Sequence, residues 1–143
     1  MTRIALLLMS AASLAACATT NGSTSGNSRA YADYLIGRVA NLTEDHRVAS
    51  DRYYTALSRD PNDRYLIEGG VRASLATGDH ARAREIARHD ASGDDGVAAA
   101  FLVRSADALI AGRWSSARAL ADHVNGDLGE EFGARILQVW AKA

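Results

Sequence analysis

The chain has one cysteine and one proline in 143 residues, a formal net charge of −1, and no apolar run long enough to span a bilayer as a helix. Each shortage excludes something. A single thiol, Cys17, cannot form a disulfide within the chain, even in an oxidising compartment. One proline, Pro61, and few β-branched residues beside abundant Ala, Leu and Arg leave little to interrupt helices. Helix is therefore expected almost throughout. Without residues 1–16, which contain Arg3, 15 basic and 17 acidic residues remain, so the net is 15 − 17 = −2. That balance gives no basic field for nucleic acid or anionic lipid. The longest apolar stretch, Ile4 to Ala16, is broken only by Ser10 and Ser13 and falls short of the about 20 residues a spanning helix needs.

What the chain does have begins at that stretch. A positive start, Met1-Thr2-Arg3, followed by a brief apolar core is the pattern of a secretion signal over residues 1–16. The core ends Leu14-Ala15-Ala16-Cys17, which resembles the lipobox of bacterial lipoproteins. The resemblance implies cleavage before Cys17, a lipid on its sulfur and an acylated new amine. Multiple acyl chains anchor durably where one would be marginal. Ala18 stands where the inner-membrane retention signal of enteric lipoproteins is usually Asp, so the resemblance favours the outer membrane, facing the periplasm. Residues 17–29 then read as the lipidated cysteine and a flexible linker. Ala18 to Ser28 carries no charge and no large apolar group, and as a coil its span is about 18 Å.

From residue 30 the chain keeps time. Ala49, Ala83 and Ala117 are 34 residues apart, as are Gly37, Val71 and Ser105, and Ala40, Ser74 and Ala108; Gly78 and Gly112 share the step. A fixed 34-residue period marks a two-helix repeat whose units stack. We expect helices at about 30–42, 46–59, 63–77, 80–91, 97–111, 114–125 and 129–142. Asp60-Pro61-Asn62-Asp63 separates the second from the third, with Asn62 or Asp63 as a cap. Gly78 and Gly112 stop helices inside repeats.

These residues resemble the tetratricopeptide repeat, over three units spanning residues 30–128. The first carries Gly37, Ala40, Ala49, Tyr53, Ala56 and Pro61 at the family's positions. The second keeps Gly78-Asp79 and Ala83, with Val71 where a smaller residue is usual and Asp90 in place of the late alanine. The third carries Phe101, Ser105, Ala108, Gly112, Trp114, Ala117, Ala121 and Val124. Small residues let helices cross closely, and Gly37 is expected opposite Ala49. The implied fold is an all-α, right-handed solenoid of helical hairpins, closed by a C-terminal helix over 129–143. In that helix Phe132, Ile136, Val139 and Trp140 share a face, as suits a cap over the last repeat; the other reading is the first half of a fourth repeat.

No chemistry stands out, and no enzyme is expected. There is no phosphate loop of known spacing, no free thiol nucleophile after lipidation, and no Ser–His–acid set above chance. The four histidines fall at two repeat positions, His46 with His80 and His89 with His123, each pair 34 residues apart. Equivalent points on stacked repeats are about 10 Å apart, too far to share a metal ligated at about 2 Å. No metal, cofactor or small-molecule substrate is expected. The resemblance places the binding surface on the first helix of each pair. By position this selects Tyr31, Tyr34, Arg38 and Asn41; then Tyr65, Glu68, Arg72 and Leu75; then Ala99, Leu102, Ala106 and Leu109. The expected partner is another envelope protein, held in a concave groove where Arg38 and Arg72 meet its acidic groups. Assembly or piloting of an envelope machine is the implied role, and a non-catalytic subunit of an envelope enzyme is the alternative.

Overall fold

A computed structural model describes residues 21–90 and 93–142, with side chains from Ser28 onward except that of Asp94. The leader, Cys17 and the start of the linker lie outside the described residues. Seven α-helices run through the rest: α1 Asn21–Leu42, α2 His46–Leu57, α3 Arg64–Ala76, α4 His80–Ala87, α5 Ala98–Ile110, α6 Trp114–Asp122 and α7 Leu128–Trp140. Among the described residues there is no strand, and the fold class is all-α. Nor is any described helix long and apolar enough to cross a membrane.

The 34-residue step is written into the backbone at the turn inside each helix pair. Glu44, Gly78 and Gly112 occupy that step with φ of 61°, 75° and 71°. The next residues, Asp45, Asp79 and Arg113, repeat one conformation, with φ/ψ of −83/68°, −81/73° and −92/67°. Their N–H groups reach back to Ala40, Ser74 and Ala108 carbonyls at 2.8, 2.9 and 2.8 Å, satisfying the orphan end of the preceding helix. Asp45 and Asp79 then cap the following helix by accepting the Val48 and Arg82 N–H groups. The third turn has Arg113 there and no side-chain cap.

Consecutive helices pack on one another, and the odd-numbered helices α1, α3, α5 and α7 also touch in series. Small residues permit this. Ala49, Ala56, Ala83, Ala100 and Val71 are fully buried, as are Ser74 and Ser105. Their hydroxyls are satisfied: Ser74 Oγ pairs with Ser50 Oγ at 2.9 Å, and Ser105 Oγ donates to the Ala117 carbonyl at 2.7 Å. The space beside Gly37 is filled by the ring of Tyr53, whose Cδ1 lies 3.2 Å from where a Cβ would stand. The same ring lies over Gly69.

Beside helix ends that shift by one to three residues, as where α6 stops at Asp122 and not at 125, three expectations differ from the structure. Residues 21–29, read as flexible linker, are helical, because α1 begins at Asn21. No proline blocks that extension, and lengthening a formed helix is far easier than nucleating one. Helix α4 ends at Ala87 instead of 91. Asp90, in the late-alanine position, turns its carboxylate to the Val97 N–H at 2.6 Å, which draws the chain out of helix toward α5. Helix α7 lies against both α5 and α6, as α3 lies against α1 and α2. It seats Glu130 and Ala134 inward, while Phe132, Val139 and Trp140 face out at 65, 67 and 64 % exposure.

Candidate protein-binding groove

The layer of odd-numbered helices leaves two clefts beside α3. Tyr31 and Tyr34 of α1, Tyr65 and Leu66 of α3, and Asp60 and Asp63 of the intervening loop surround about 490 Å³. The sequence explains how these groups are held. Asp63 Oδ1 accepts the Tyr65 and Leu66 N–H groups at 2.8 and 3.0 Å, fixing the first turn of α3. Leu66 is buried beneath, so Tyr65 is left facing solvent. On α1, Tyr34 packs its ring 6.1 Å from Tyr31 and 6.2 Å from the buried Tyr53. Burial pushes the Tyr53 phenol above its ordinary 10.0, with the Arg38 charge opposing.

The second cleft, about 220 Å³, is lined by Arg64, Glu68 and Arg72 of α3, by the Gly96–Ala99 turn into α5, and by Asn125, Gly126, Asp127 and Glu130. Its centre is a cation ringed by carboxylates. Arg72 Nη2 stands 2.8 Å from Glu130, 3.3 Å from Glu68 and 3.3 Å from Asp127. Asp127 and Glu130 are also tied together as a reciprocal cap on α7, each side chain accepting the other's backbone N–H. The Glu130 N–H first, and the Arg72 charge after it, hold the Asp127 carboxyl below its ordinary 3.8.

The structure therefore separates the residues selected from the sequence. Tyr34 and Tyr65 share the first cleft, and Glu68 and Arg72 the second. Arg38 donates to the Tyr34 hydroxyl at 3.1 Å and stacks over that ring. Asn41 lies at the far end of α1, bonded to His46 Nδ1 at 3.2 Å. Leu102 of α5 lies under α7, with its methyl carbons 3.2 and 3.4 Å from where a Cβ on Gly133 would stand. Arg72 is not the open cation that the expected acidic partner requires: its charge is met inside the fold. Asp60 and Asp63, helix punctuation by sequence, line the larger cleft. Their loop position between two tyrosine-bearing helices was the available signal.

His123 stacks on Phe101 with ring centres 5.5 Å apart, and His80 begins α4 on the surface. Trp114, which shares the His46 and His80 position, leaves half its surface open. Among the described residues, no three His, Cys, Asp or Glu side chains group as metal ligands. No protein-family model matches the chain, and no curated protein matches it significantly.

Proposed function

We propose that this is a lipid-anchored envelope protein, held at Cys17 and facing the periplasm, whose helical pairs form a tetratricopeptide-type solenoid that binds a segment of another envelope protein without chemistry of its own. The observation that carries the reading is the cleft between α1 and α3. Two exposed tyrosines, Tyr31 and Tyr65, and the half-buried Tyr34 line it, on helices that a 34-residue repeat sets side by side. Tyrosine is a frequent anchor of protein contacts because it offers large rigid area with a polar tip. A surface built by repetition suits an extended or helical segment.

The test is photo-crosslinking in native membranes from two positions of the full chain. A crosslinker at Tyr65 should give a discrete adduct, while one at Arg118, exposed on α6, should give none. Equal labelling from both positions overturns the groove. The anchor is tested separately: Cys17→Ser should abolish incorporation of a fatty-acid analogue, and wild type left unlabelled would rule lipidation out.

A further inference from the structure

The cleft between α1 and α3 is lined by rings and carboxylates, with no cation among its lining side chains. Asp60 makes no ion pair or side-chain hydrogen bond with the described residues. Asp63 engages only backbone N–H groups, through Oδ1. Tyr31 and Tyr65 are 61 and 70 % exposed, so their ring faces are available. Tyr34 already shows the contact such rings favour: the Arg38 guanidinium stands 5.9 Å from its centre. Arg38 lies outside the lining and Tyr31 already packs on Tyr34, which leaves Tyr65, without a ring contact among the described residues, as the uncommitted ring.

We infer that this cleft takes a basic side chain, arginine or lysine, from an extended segment of the partner protein. The inference rests on the groove reading above and reverses the charge that the sequence led us to expect of the partner. Ring faces carry negative potential and attract cations, most strongly where water is partly displaced. Two carboxylates at the mouth add attraction of the same sign, and a cleft walled by low-dielectric rings concentrates it. The guanidinium plane also matches a stack on tyrosine together with a fork onto a carboxylate. Arg72, the cation expected to meet an acidic partner, is already matched by Glu68, Asp127 and Glu130, and Arg64, the other cation of the second cleft, lies outside the lining of the first. A protein segment, rather than an isolated small cation, fits the layout. Helix α3 leads directly from the first cleft at Tyr65 to the second at Glu68, so a chain entering at the tyrosines continues along it.

The experiment uses the full chain with carbon-13 in its tyrosine rings, titrated with the peptide acetyl-Ala-Arg-Ala-amide and its lysine, norleucine and glutamate counterparts. Phosphocholine is titrated in parallel as a lipid headgroup. The Tyr31, Tyr34 and Tyr65 signals should shift and saturate with the arginine and lysine peptides, and need about tenfold more of the norleucine or glutamate peptide. The double change Asp60→Asn with Asp63→Asn should raise the half-saturation concentration of the arginine peptide about tenfold at low salt. Asparagine still caps α3, so melting should stay close to wild type. Ring signals that ignore the arginine peptide, or answer the glutamate peptide equally well, overturn the inference. So does saturation by phosphocholine at a lower concentration, which would assign the cleft to a headgroup. A Tyr65 crosslink to a partner alongside silent rings removes the cation site and leaves the groove standing.

Discussion

Arg72 Nη2 lies 2.8 Å from Glu130 Oε1, joining α3 to α7 across 58 residues of chain. Glu130 is 9 % exposed and is also one half of the cap on α7, so its carboxylate has little access to water and is met by that guanidinium. Replacing Arg72 by alanine strands a nearly buried carboxylate. The expected cost is about 1–3 kcal/mol, visible in thermal melting. A double-mutant cycle with Glu130→Gln should return a coupling of about 0.5–3 kcal/mol. Zero coupling would mean that α7 is seated by its apolar contacts alone.

Glu44 should be replaceable with profit to the fold. It holds φ at 61°, where its repeat partners are glycines, and a β-carbon there is strained. Glu44→Gly is expected to stabilise the domain by about 1 kcal/mol, after the added freedom of glycine in the unfolded chain is subtracted. A lower melting temperature would show that the Glu44 side chain contributes more than its backbone costs.

The third turn lacks what the first two have. Arg113 occupies the backbone conformation of Asp45 and Asp79 but offers no acceptor to α6. Arg113→Asp should gain about 0.5–2 kcal/mol through a new N-cap and a favourable charge at the helix start. Hydrogen exchange in the first turn of α6 is the local readout, and exchange unchanged by the substitution would refute the assignment.

Gly69 cannot carry a methyl group without rearrangement. A β-carbon there would stand 2.6 Å from Tyr53 Cζ and 2.9 Å from Cε1, in a ring that is 1 % exposed. Gly69→Ala should destabilise the fold by about 1–3 kcal/mol, despite alanine's better helix propensity. Should it melt at the same temperature as wild type, the Tyr53 ring is less confined than this packing implies.

Acid should loosen the attachment of α7. The Asp127 carboxyl is held below 3.8 in the folded chain, chiefly by the Glu130 N–H. A group depressed in this way stabilises the fold above its unfolded pKa, and that contribution fades as pH falls through the folded value. Asp127→Asn keeps a capping acceptor without the charge. Its melting temperature should therefore fall less steeply than wild type's below about pH 4. Parallel acid limbs for the two proteins would contradict this.

The repeat was legible because it is enforced locally. A helix that must end, turn and restart in the same geometry needs a positive φ and an acceptor one residue later, and Gly78-Asp79 states both outright. Burial of Ala49, Ala83 and Ala117 follows from the same step. Pairings across long stretches of chain were not legible. The ion pairs of Arg72 beyond Glu68 were not legible because they lie on the loop entering α7 and on α7 itself, and that helix leaves the register: its cap, Asp127, comes four residues before the 34-residue step from Val97. The facing of α7 was hidden for a related reason. Amphipathicity identifies two faces, but the choice between them was made by Glu130 meeting Arg72 and by Gly133 admitting Leu102. In the groove, the tyrosines could be placed by position, whereas the carboxylates beside them belonged to a loop whose path the repeat does not dictate.

Tyr53 is a wall shared by two helices, its ring filling the space beside both Gly37 and Gly69. Those three positions, on three different helices, divide one fixed volume, so they are not free to drift separately. A smaller residue at 53 opens room that an alanine at 69 can fill, while an alanine at 69 beside an intact tyrosine has nowhere to go. In descendants of this sequence the three should change as a set. A lineage that lost the tyrosine would carry the record of it in the residues that replaced the glycines.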